Sequence, residues 1–338
     1  MIEQFLNIKN STRNLSDNEF NEILPQLANE LKDIPIEHTH AVEILMADYD
    51  KLKQWNLVGK LYSRSRVGLK LCDHFFPNIY DVKSKGKSFR ECWNDVNLLK
   101  KILKWNRKVH STPYMSELKR GVYFCGGSHK ITMFRPQLAK HIVSKYDANV
   151  ILDPCAGWGG RMLGTVAAGS QYIGFEPNTE TYDNLVKLSE FLGIQNQVTL
   201  FHDGIENVEN YDFKPVDLIL TSPPYFNLEV YSDEITQSHV GYETYDEWKY
   251  GFLIPMIVQC GRRLKSNGIS CWNVHNIGKM KLMEDVNSIH NGLGFVTHHT
   301  FRLNHPTRPR HATDEVNFHK IKSSGDLTIA YIREGHVV

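Results

Sequence analysis

Four consecutive residues, Ser222-Pro223-Pro224-Tyr225, combine side chains and backbone groups that could do chemistry. They follow Leu218–Leu220, an apolar run of strand character, so the two prolines form a stiff turn at a strand end. Each proline lacks a backbone N–H donor but keeps its carbonyl acceptor. A turn that is rich in acceptors, with a hydroxyl before it and an aromatic ring after it, suits the binding of an amine.

An amine attached to an aromatic ring is a weak nucleophile, because its lone pair is delocalised into the ring. Acceptors that hold both of its N–H groups favour a tetrahedral nitrogen, and a rigid turn needs little reorganisation to do so. The predicted acceptors are the backbone carbonyl of Pro223 and the hydroxyl of Ser222. We expect Tyr225 to stack on the ring that carries the amine. The motif therefore predicts an amine clamp.

A glycine-rich turn, DPCAGWGG (153–160), follows an earlier strand-like run, NVILD (149–153). Glycines allow a tight turn and a close approach of the backbone to a ligand. A phosphate-binding loop would continue with Lys-Ser or Lys-Thr, whereas Arg161-Met162 follows here. By itself this turn is equally typical of an ordinary connection between a strand and a helix.

Acidic residues end the first three predicted strands, at Asp153, Glu176 and Asp203. An acid at such a position can accept the hydroxyls of a ribose, and Asp203, followed by Gly204, could accept an adenine amino group. Together the acids suit a cofactor with a ribose, an adenine and a positive charge but no phosphate. S-adenosylmethionine fits that description better than NAD or ATP. The alternative is that the acids only cap the following helices.

Strands and helices alternate from about residue 131, which predicts an α/β fold with a Rossmann-like, doubly wound, mostly parallel sheet. Amphipathic helices are expected before it, over 15–31, 41–57 and 91–109, with a basic loop at 77–90. We therefore expect a helical region at 1–114 and a catalytic domain at 115–338. The strands are predicted at 149–153, 171–176, 197–203, 216–222, 268–276, 294–303 and 326–334, and the helices between them at 134–146, 161–169, 178–193 and 247–265.

Charge is unevenly distributed along the chain. Residues 51–135 contain 19 Lys and Arg against 5 Asp and Glu, whereas residues 1–50 contain 3 against 10. Interleaved aromatic residues make nucleic acid the simplest polyanionic partner, although a solvated helix surface would also explain the charge. A second basic segment, RLNHPTRPRH (302–311), suits a phosphate backbone or is a basic surface loop. The predicted nucleic-acid contacts are Lys85, Lys87, Arg90, Arg302, Arg308 and Arg310.

The order of the two motifs, Asp-Pro-x-x-Gly-x-Gly and then Ser-Pro-Pro-Tyr, resembles the S-adenosylmethionine-dependent methyltransferases that modify exocyclic amines of DNA bases. The resemblance covers about residues 131–276. It implies a class I methyltransferase fold and, from the Ser-Pro-Pro-Tyr form, methyl transfer to cytosine N4 of DNA. Adenine N6 is the nearest alternative, and an RNA base amine or a catalytically silent nucleic-acid binder remains open. A partner restriction nuclease and the oligomeric state also remain open.

The resemblance also implies which residues bind the cofactor. The stretch FRPQLAKHIV is similar to the family's helical segment over the methionine end of the cofactor. The family usually has Phe where this chain has Cys155. The implied cofactor-binding residues are Phe134, Arg135, Pro136, Asp153, Pro154, Cys155, Ala156, Gly157, Gly159, Glu176, Asp203, Gly204 and Thr221.

Other features of the sequence limit the class of protein. No apolar run reaches the roughly 18 residues of a membrane helix, and the N-terminus lacks the basic and apolar pattern of a secretory signal. The six cysteines are scattered with no CxxC pair, which argues against a disulfide scaffold or a zinc ribbon. We expect a cytoplasmic protein without a metal site.

Overall fold

The computed structural model describes residues 2–56, 65–84, 86–302 and 327–333. The chain forms two compact units. The helical unit comprises Met1–Thr39, Pro77–Thr132 and Asn227–Asp233, and the sheet unit comprises His40–Phe76, Met133–Phe226 and Glu234–Val338. No helix among the described residues is long and apolar enough to cross a membrane.

Helices and strands follow the predicted order closely. The helices are α1 (Asp17–Lys32), α2 (Val42–Gln54), α3 (Leu69–Phe75), α4 (Phe89–Trp93), α5 (Val96–Val109), α6 (Met115–Phe124), α7 (Pro136–Lys145), α8 (Gly160–Ala167), α9 (Thr179–Leu192), α10 (Tyr245–Trp248), α11 (Ile254–Arg263) and α12 (Leu282–Gly292). The strands are β1 (Lys83–Ser84), β2 (Lys87–Ser88), β3 (Val150–Asp153), β4 (Gln171–Phe175), β5 (Val198–Phe201), β6 (Val216–Thr221), β7 (Glu229–Val230), β8 (Leu264–Val274), β9 (Phe295–Arg302) and β10 (Leu327–Arg333).

The main sheet has seven strands in the order β5-β4-β3-β6-β8-β10-β9. Strands β3, β4, β5, β6 and β8 run parallel to one another, whereas β10 is antiparallel to both of its neighbours. The predicted Rossmann-like, mostly parallel α/β fold is therefore confirmed. The chain order reverses between β3 and β6, and such a switch point is where doubly wound sheets bind ligands, beyond the carboxyl ends of the strands.

The helical unit has its own apolar core. Its centre is formed by the buried faces of α1, α5 and α6, with Leu27, Leu99 and Ile102 fully buried. A capping box starts α1, where Ser16 and Glu19 bond to each other's backbone N–H groups. The predicted helix over 91–109 is interrupted because Asp95 caps α5 by accepting from the N–H groups of Asn97 and Leu98.

Residues 40–56 and 65–76 pack with the sheet, which differs from the predicted boundary at residue 114. Leu45 and Leu52 of α2 belong to the same buried cluster as Met162 and Leu163 of α8. The amphipathic pattern predicted that α2 is a helix but could not show which apolar surface it covers. Helix α6 (Met115–Phe124) lies in the predicted catalytic domain at 115–338. It packs instead with the helical core through Leu118.

A buried hydrogen-bond relay ties α12 to β8. Trp272 Nε1 donates to Ser270 Oγ over 2.7 Å, and Ser270 Oγ lies 3.1 Å from His290 Nε2. His290 Nδ1 lies 2.8 Å from the Val286 carbonyl. A carbonyl only accepts, so Nδ1 carries the proton and Nε2 accepts from the serine. The imidazole also stacks on Tyr331 of β10 at 3.9 Å.

We predict that this relay makes the sheet unit sensitive to acid. Burial lowers the pKa of His290 from 6.5 to about 4, so protonation opposes folding and the contribution of this group to stability falls as the pH drops from 6.5 towards 4. That contribution should fall by about 3 kcal/mol. Urea unfolding of the native chain and of His290→Gln at several pH values isolates it from other titrating groups. The difference in unfolding free energy between the two should fall by this amount from pH 6.5 to pH 4, whereas the difference between the native chain and a variant with the exposed His202 replaced by Gln should not change.

Candidate active site

The glycine-rich turn lies at the carboxyl end of β3 and has two residues in the left-handed region. Gly157 has φ +54° and Gly159 has φ +71°. A β-carbon at Gly159 would lie 3.1 Å from Leu188 and from Phe76, so this glycine is required for packing as well as for conformation. A β-carbon at Gly157 would make only ordinary contacts, 3.8 Å from the Cys155 carbonyl oxygen and 3.9 Å from Arg161 Nη2, so the positive φ rather than packing requires this glycine.

Arg161 fixes the conformation of this turn through hydrogen bonds. Its Nε donates to Asp153 Oδ2 over 2.7 Å, and its Nη2 donates to the Cys155 carbonyl. Tyr172 of β4 donates to the same Asp153 oxygen over 2.8 Å. The carboxylate of Asp153 is fully buried and Arg161 is only 5% exposed. The structure therefore places Asp153 as a fixed anchor of the turn, and a direct contact with a ligand would require Arg161 or Tyr172 to move.

Glu176 at the end of β4 faces the glycine-rich turn. Its Oε2 accepts from the Gly157 N–H over 2.8 Å and its Oε1 accepts from the Asn178 N–H over 3.0 Å. Burial raises the pKa of Glu176 to about 7, although these two N–H donors oppose the shift. The carboxyl group is thus held in place, 8% exposed, and poised to change charge near neutral pH.

The segment 134–136 reaches the turn through close backbone packing. A β-carbon at Gly160 would lie 2.0 Å from the Phe134 carbonyl oxygen. The Phe134 ring lies 5.3 Å from the Arg161 guanidinium. Arg135 is the N-cap of α7, and Pro136 is its first residue. These three residues therefore lie against the start of α8.

The other predicted cofactor residues lie around the same sheet edge. Asp203 accepts from its neighbours Gly204 N, Asn207 Nδ2 and Tyr211 Oη, at 2.8, 2.7 and 2.9 Å. Thr221 is fully buried, and its Oγ1 has no hydrogen-bond partner in the described part of the chain.

Cys155, Pro154 and Ala156 form the first half of the glycine-rich turn. Burial raises the pKa of the Cys155 thiol well above its usual value, so this cysteine is a poor nucleophile. Its Sγ lies 3.8 Å from Met256 Sδ of α11. The Ala156 N–H donates to the Phe175 carbonyl over 2.9 Å, which ties the turn to β4.

The Ser-Pro-Pro-Tyr turn follows β6, next to β3 across the switch point. Asn273 Nδ2 of β8 donates to Ser222 Oγ, and Ser222 Oγ donates to the Asn273 carbonyl, both over 3.3 Å. Asn273 is 6% exposed. The neighbouring strand therefore orients the Ser222 hydroxyl from two directions.

Tyr225 is held by a histidine that the sequence analysis did not identify. The Tyr225 hydroxyl lies 2.8 Å from His275 Nδ1, and the ring centroids are 4.8 Å apart. The Tyr225 ring is only 8% exposed. Phe226 then has φ +50° and packs against Trp248 of α10, so the chain turns sharply after the motif.

Two asparagines lie at the carboxyl end of β8 and just beyond it. Asn273 contacts Ser222, as described. Asn276 instead accepts from the Met283 N–H over 3.0 Å and donates to Glu284, so it supports the start of α12. The strand register places Asn273 beside β6, and this is why Asn273 contacts Ser222 whereas Asn276 does not.

The predicted nucleic-acid contacts are only partly described. Lys87 is exposed in β2 and Arg302 ends β9, while Lys85, Arg308 and Arg310 lie outside the described residues. Arg90 donates to Asp81 over 2.6 Å and also to Glu37. A phosphate would have to compete with both carboxylates for this guanidinium.

Comparisons with known proteins give structural likenesses alone. No protein-family model matches the chain, and no curated protein matches its sequence. Similar solved structures include an rRNA methylase from Streptococcus thermophilus, 16% identical, with 60% of this chain and 99% of that chain covered at TM-score 0.38. TrmN from Thermus thermophilus is 13% identical, with 59% and 48% covered at TM-score 0.40. NSun6 from Pyrococcus horikoshii is 15% identical, with 60% and 52% covered at TM-score 0.41. At these values the likenesses assign neither a substrate nor an activity.

We predict that Arg161→Ala destabilises the sheet unit by about 3–5 kcal/mol, because it leaves the Asp153 carboxylate buried without its cation. Urea unfolding of the full chain measures this effect. The matched control is Arg66→Ala, which removes an ion pair with Asp73 in which the arginine side chain is 70% exposed. That change should cost less than about 1 kcal/mol. Equal costs for the two variants would contradict the anchoring role of Arg161.

Proposed function

We propose that the chain is an S-adenosylmethionine-dependent methyltransferase that acts on an exocyclic amino nitrogen of a nucleic-acid base. One observation carries the proposal. The glycine-rich turn and the Ser-Pro-Pro-Tyr turn follow β3 and β6, the two adjacent strands that flank the switch point. A cofactor on one turn and an amine on the other would therefore meet at a single sheet edge.

The residues at this edge fit the proposed cofactor. A β-carbon at Gly157 would have contacts of 3.8 Å or more, so the backbone there is not closely packed, and Glu176, which accepts from the Gly157 N–H, offers a carboxylate to ribose hydroxyls. Asp203 and Gly204 at the next strand end would accept the adenine amino group. The cation of the turn, Arg161, is buried and engaged by Asp153, so it is not available to a phosphate. When bound, S-adenosylmethionine supplies an electrophilic methyl group on a sulfonium.

The chain's own contribution to the reaction is to position the amine. The Ser222 hydroxyl donates to the Asn273 carbonyl and accepts from the Asn273 amide. A hydroxyl has two acceptor lone pairs, so one remains to accept from a substrate N–H. The Pro223 carbonyl would accept the second N–H. The nitrogen forms the bond to the methyl carbon as the carbon–sulfur bond breaks, and the excess proton of the nitrogen passes to water.

His275 gives the aromatic end of the clamp a fixed orientation. Its bond to the Tyr225 hydroxyl holds a ring that is almost buried. The structure leaves 8% of Tyr225 exposed, so the proposed contact with a base uses that exposed part of the ring. We assign His275 a positioning role. Loss of methyl transfer in His275→Ala with unchanged cofactor affinity would support this assignment.

Within this class we propose cytosine N4 of DNA as the acceptor, on the strength of the Ser-Pro-Pro-Tyr form of the motif. The test incubates the full chain with methyl-deuterated S-adenosylmethionine and either mixed-sequence DNA or RNA, followed by nucleoside mass spectrometry. We expect labelled N4-methyldeoxycytidine, and at least a hundredfold less with Ser222→Ala. Labelled N6-methyldeoxyadenosine would overturn the choice of base, and label in RNA alone would overturn the choice of DNA.

We predict that cofactor affinity rises with pH. Hydroxyl donors favour the charged form of Glu176, whose pKa is about 7 without a ligand, so binding should release a proton. Affinity for S-adenosylhomocysteine should be about tenfold lower at pH 6 than at pH 8. Calorimetry in two buffers of different ionisation enthalpy measures both the affinity and the number of protons released on binding. Glu176→Gln should abolish the dependence, and substitution of the exposed Glu190 on α9 should preserve it.

A further inference from the structure

Helix α5 of the helical unit has one buried and one cationic face. Leu98, Leu99, Ile102 and Leu103 are 8% exposed or less and pack into the helical core. Lys101, Lys104 and Lys108 recur at intervals of three and four residues on the other side, and all three are exposed. With a rise of 1.5 Å per residue, these lysines form a stripe about 10 Å long.

The charge of this stripe is not neutralised within the helical unit. The helix VNLLKKILKWNRKV contains five basic residues and no acidic residue. Arg107 is engaged by Asp17 and by the Leu15 carbonyl. In the described part of the chain, the stripe lysines form no ion pair. Three free ammonium groups in a row suit a linear polyanion.

An aromatic pair, a half-buried tryptophan and an exposed phenylalanine, borders the same stripe. Trp105 lies on α5 between Lys104 and Lys108 in sequence and stacks on Phe124 of α6, with centroids 5.5 Å apart and planes at 16°. Phe124 is 55% exposed. The Arg120 guanidinium lies 5.3 Å from the same ring. The nearby acid, Glu117, is engaged by Arg120 at 3.1 Å.

We propose that this surface binds a single strand of nucleic acid, with its phosphates on Lys101, Lys104 and Lys108 and an unpaired base on Phe124. Exposed aromatic rings beside a basic track are the combination that holds single strands, because every base has a face that can stack. The proposal rests on the proposed function for its nucleic-acid substrate. It places the contact on α5 and α6 rather than on Arg90, which carboxylates already occupy.

The test uses the full chain and a fluorescein-labelled 20-nucleotide single strand of mixed sequence, with anisotropy measured over a salt series. Substitution of all three stripe lysines by Ala should reduce the slope of log affinity against log salt by about 2, since each phosphate contact contributes about 0.7 for single strands. The matched control replaces three exposed lysines outside the stripe, Lys9, Lys51 and Lys70, and should leave the slope unchanged.

Phe124→Ala tests the base contact separately. It should weaken binding about tenfold with no change in the salt slope, and Phe124→Tyr should restore the affinity. The proposal would be overturned if the stripe variant and its control lost affinity for the single strand equally. It would also be overturned if neither the stripe variant nor Phe124→Ala lost affinity. Tighter binding of duplex than of single strand, with Phe124→Ala silent, would also overturn it.

Failure of this proposal can be distinguished from failure of the proposed function. Circular dichroism and affinity for S-adenosylhomocysteine should be unchanged in the stripe variant and in Phe124→Ala, because the substituted residues belong to the helical unit. If the chain methylates nucleic acid but the stripe variant binds it as tightly as the native chain does, this inference alone would be wrong. If the stripe binds the strand but no base is methylated, the enzymatic proposal would be wrong and the proposed binding surface would be retained.

Discussion

The buried pair of Asp153 and Arg161 is the constraint on which the candidate site depends. An arginine with its charge almost fully removed from water is tolerated only where a carboxylate and further acceptors surround it. Here the acceptors are Asp153 and the carbonyl of Cys155 within the glycine-rich turn itself. The turn therefore cannot change shape without exposing or unpairing a buried charge, and Gly157 keeps a fixed position against Glu176.

The two turns at the switch point differ in the chemistry that they present. Beside the glycine-rich turn lies one tethered carboxyl group, that of Glu176, whereas the Ser-Pro-Pro-Tyr turn offers neutral acceptors. Neutral acceptors can hold an amine without protonating it, and the orientation of Ser222 by Asn273 prepares one of them in advance. Among the described residues, the cation of the glycine-rich turn is Arg161, which Asp153 engages, so a sulfonium is a better match there than a phosphate.

Much of this architecture was predictable from local sequence patterns. Alternation of apolar strands with amphipathic helices predicted the order and type of the sheet elements, and both turns were found from their own residues. The contribution of Arg161 was not, because it reaches Asp153 only through the conformation of the intervening turn. The contribution of His275 was not, because the pairing of β8 with β6 brings it to Tyr225. The packing of α2 was missed for a related reason, since an amphipathic pattern shows that a face is buried but not against which surface.

A crystal structure of the full chain grown with S-adenosylhomocysteine tests the central claim most directly. The account predicts that the ligand lies across the carboxyl ends of β3 and β6, with its ribose hydroxyls on Glu176 and its sulfur towards the Pro223 carbonyl. The Asp153–Arg161 pair should be unchanged. A ligand bound at another surface, or a ribose that does not contact Glu176, would contradict the assignment of the site.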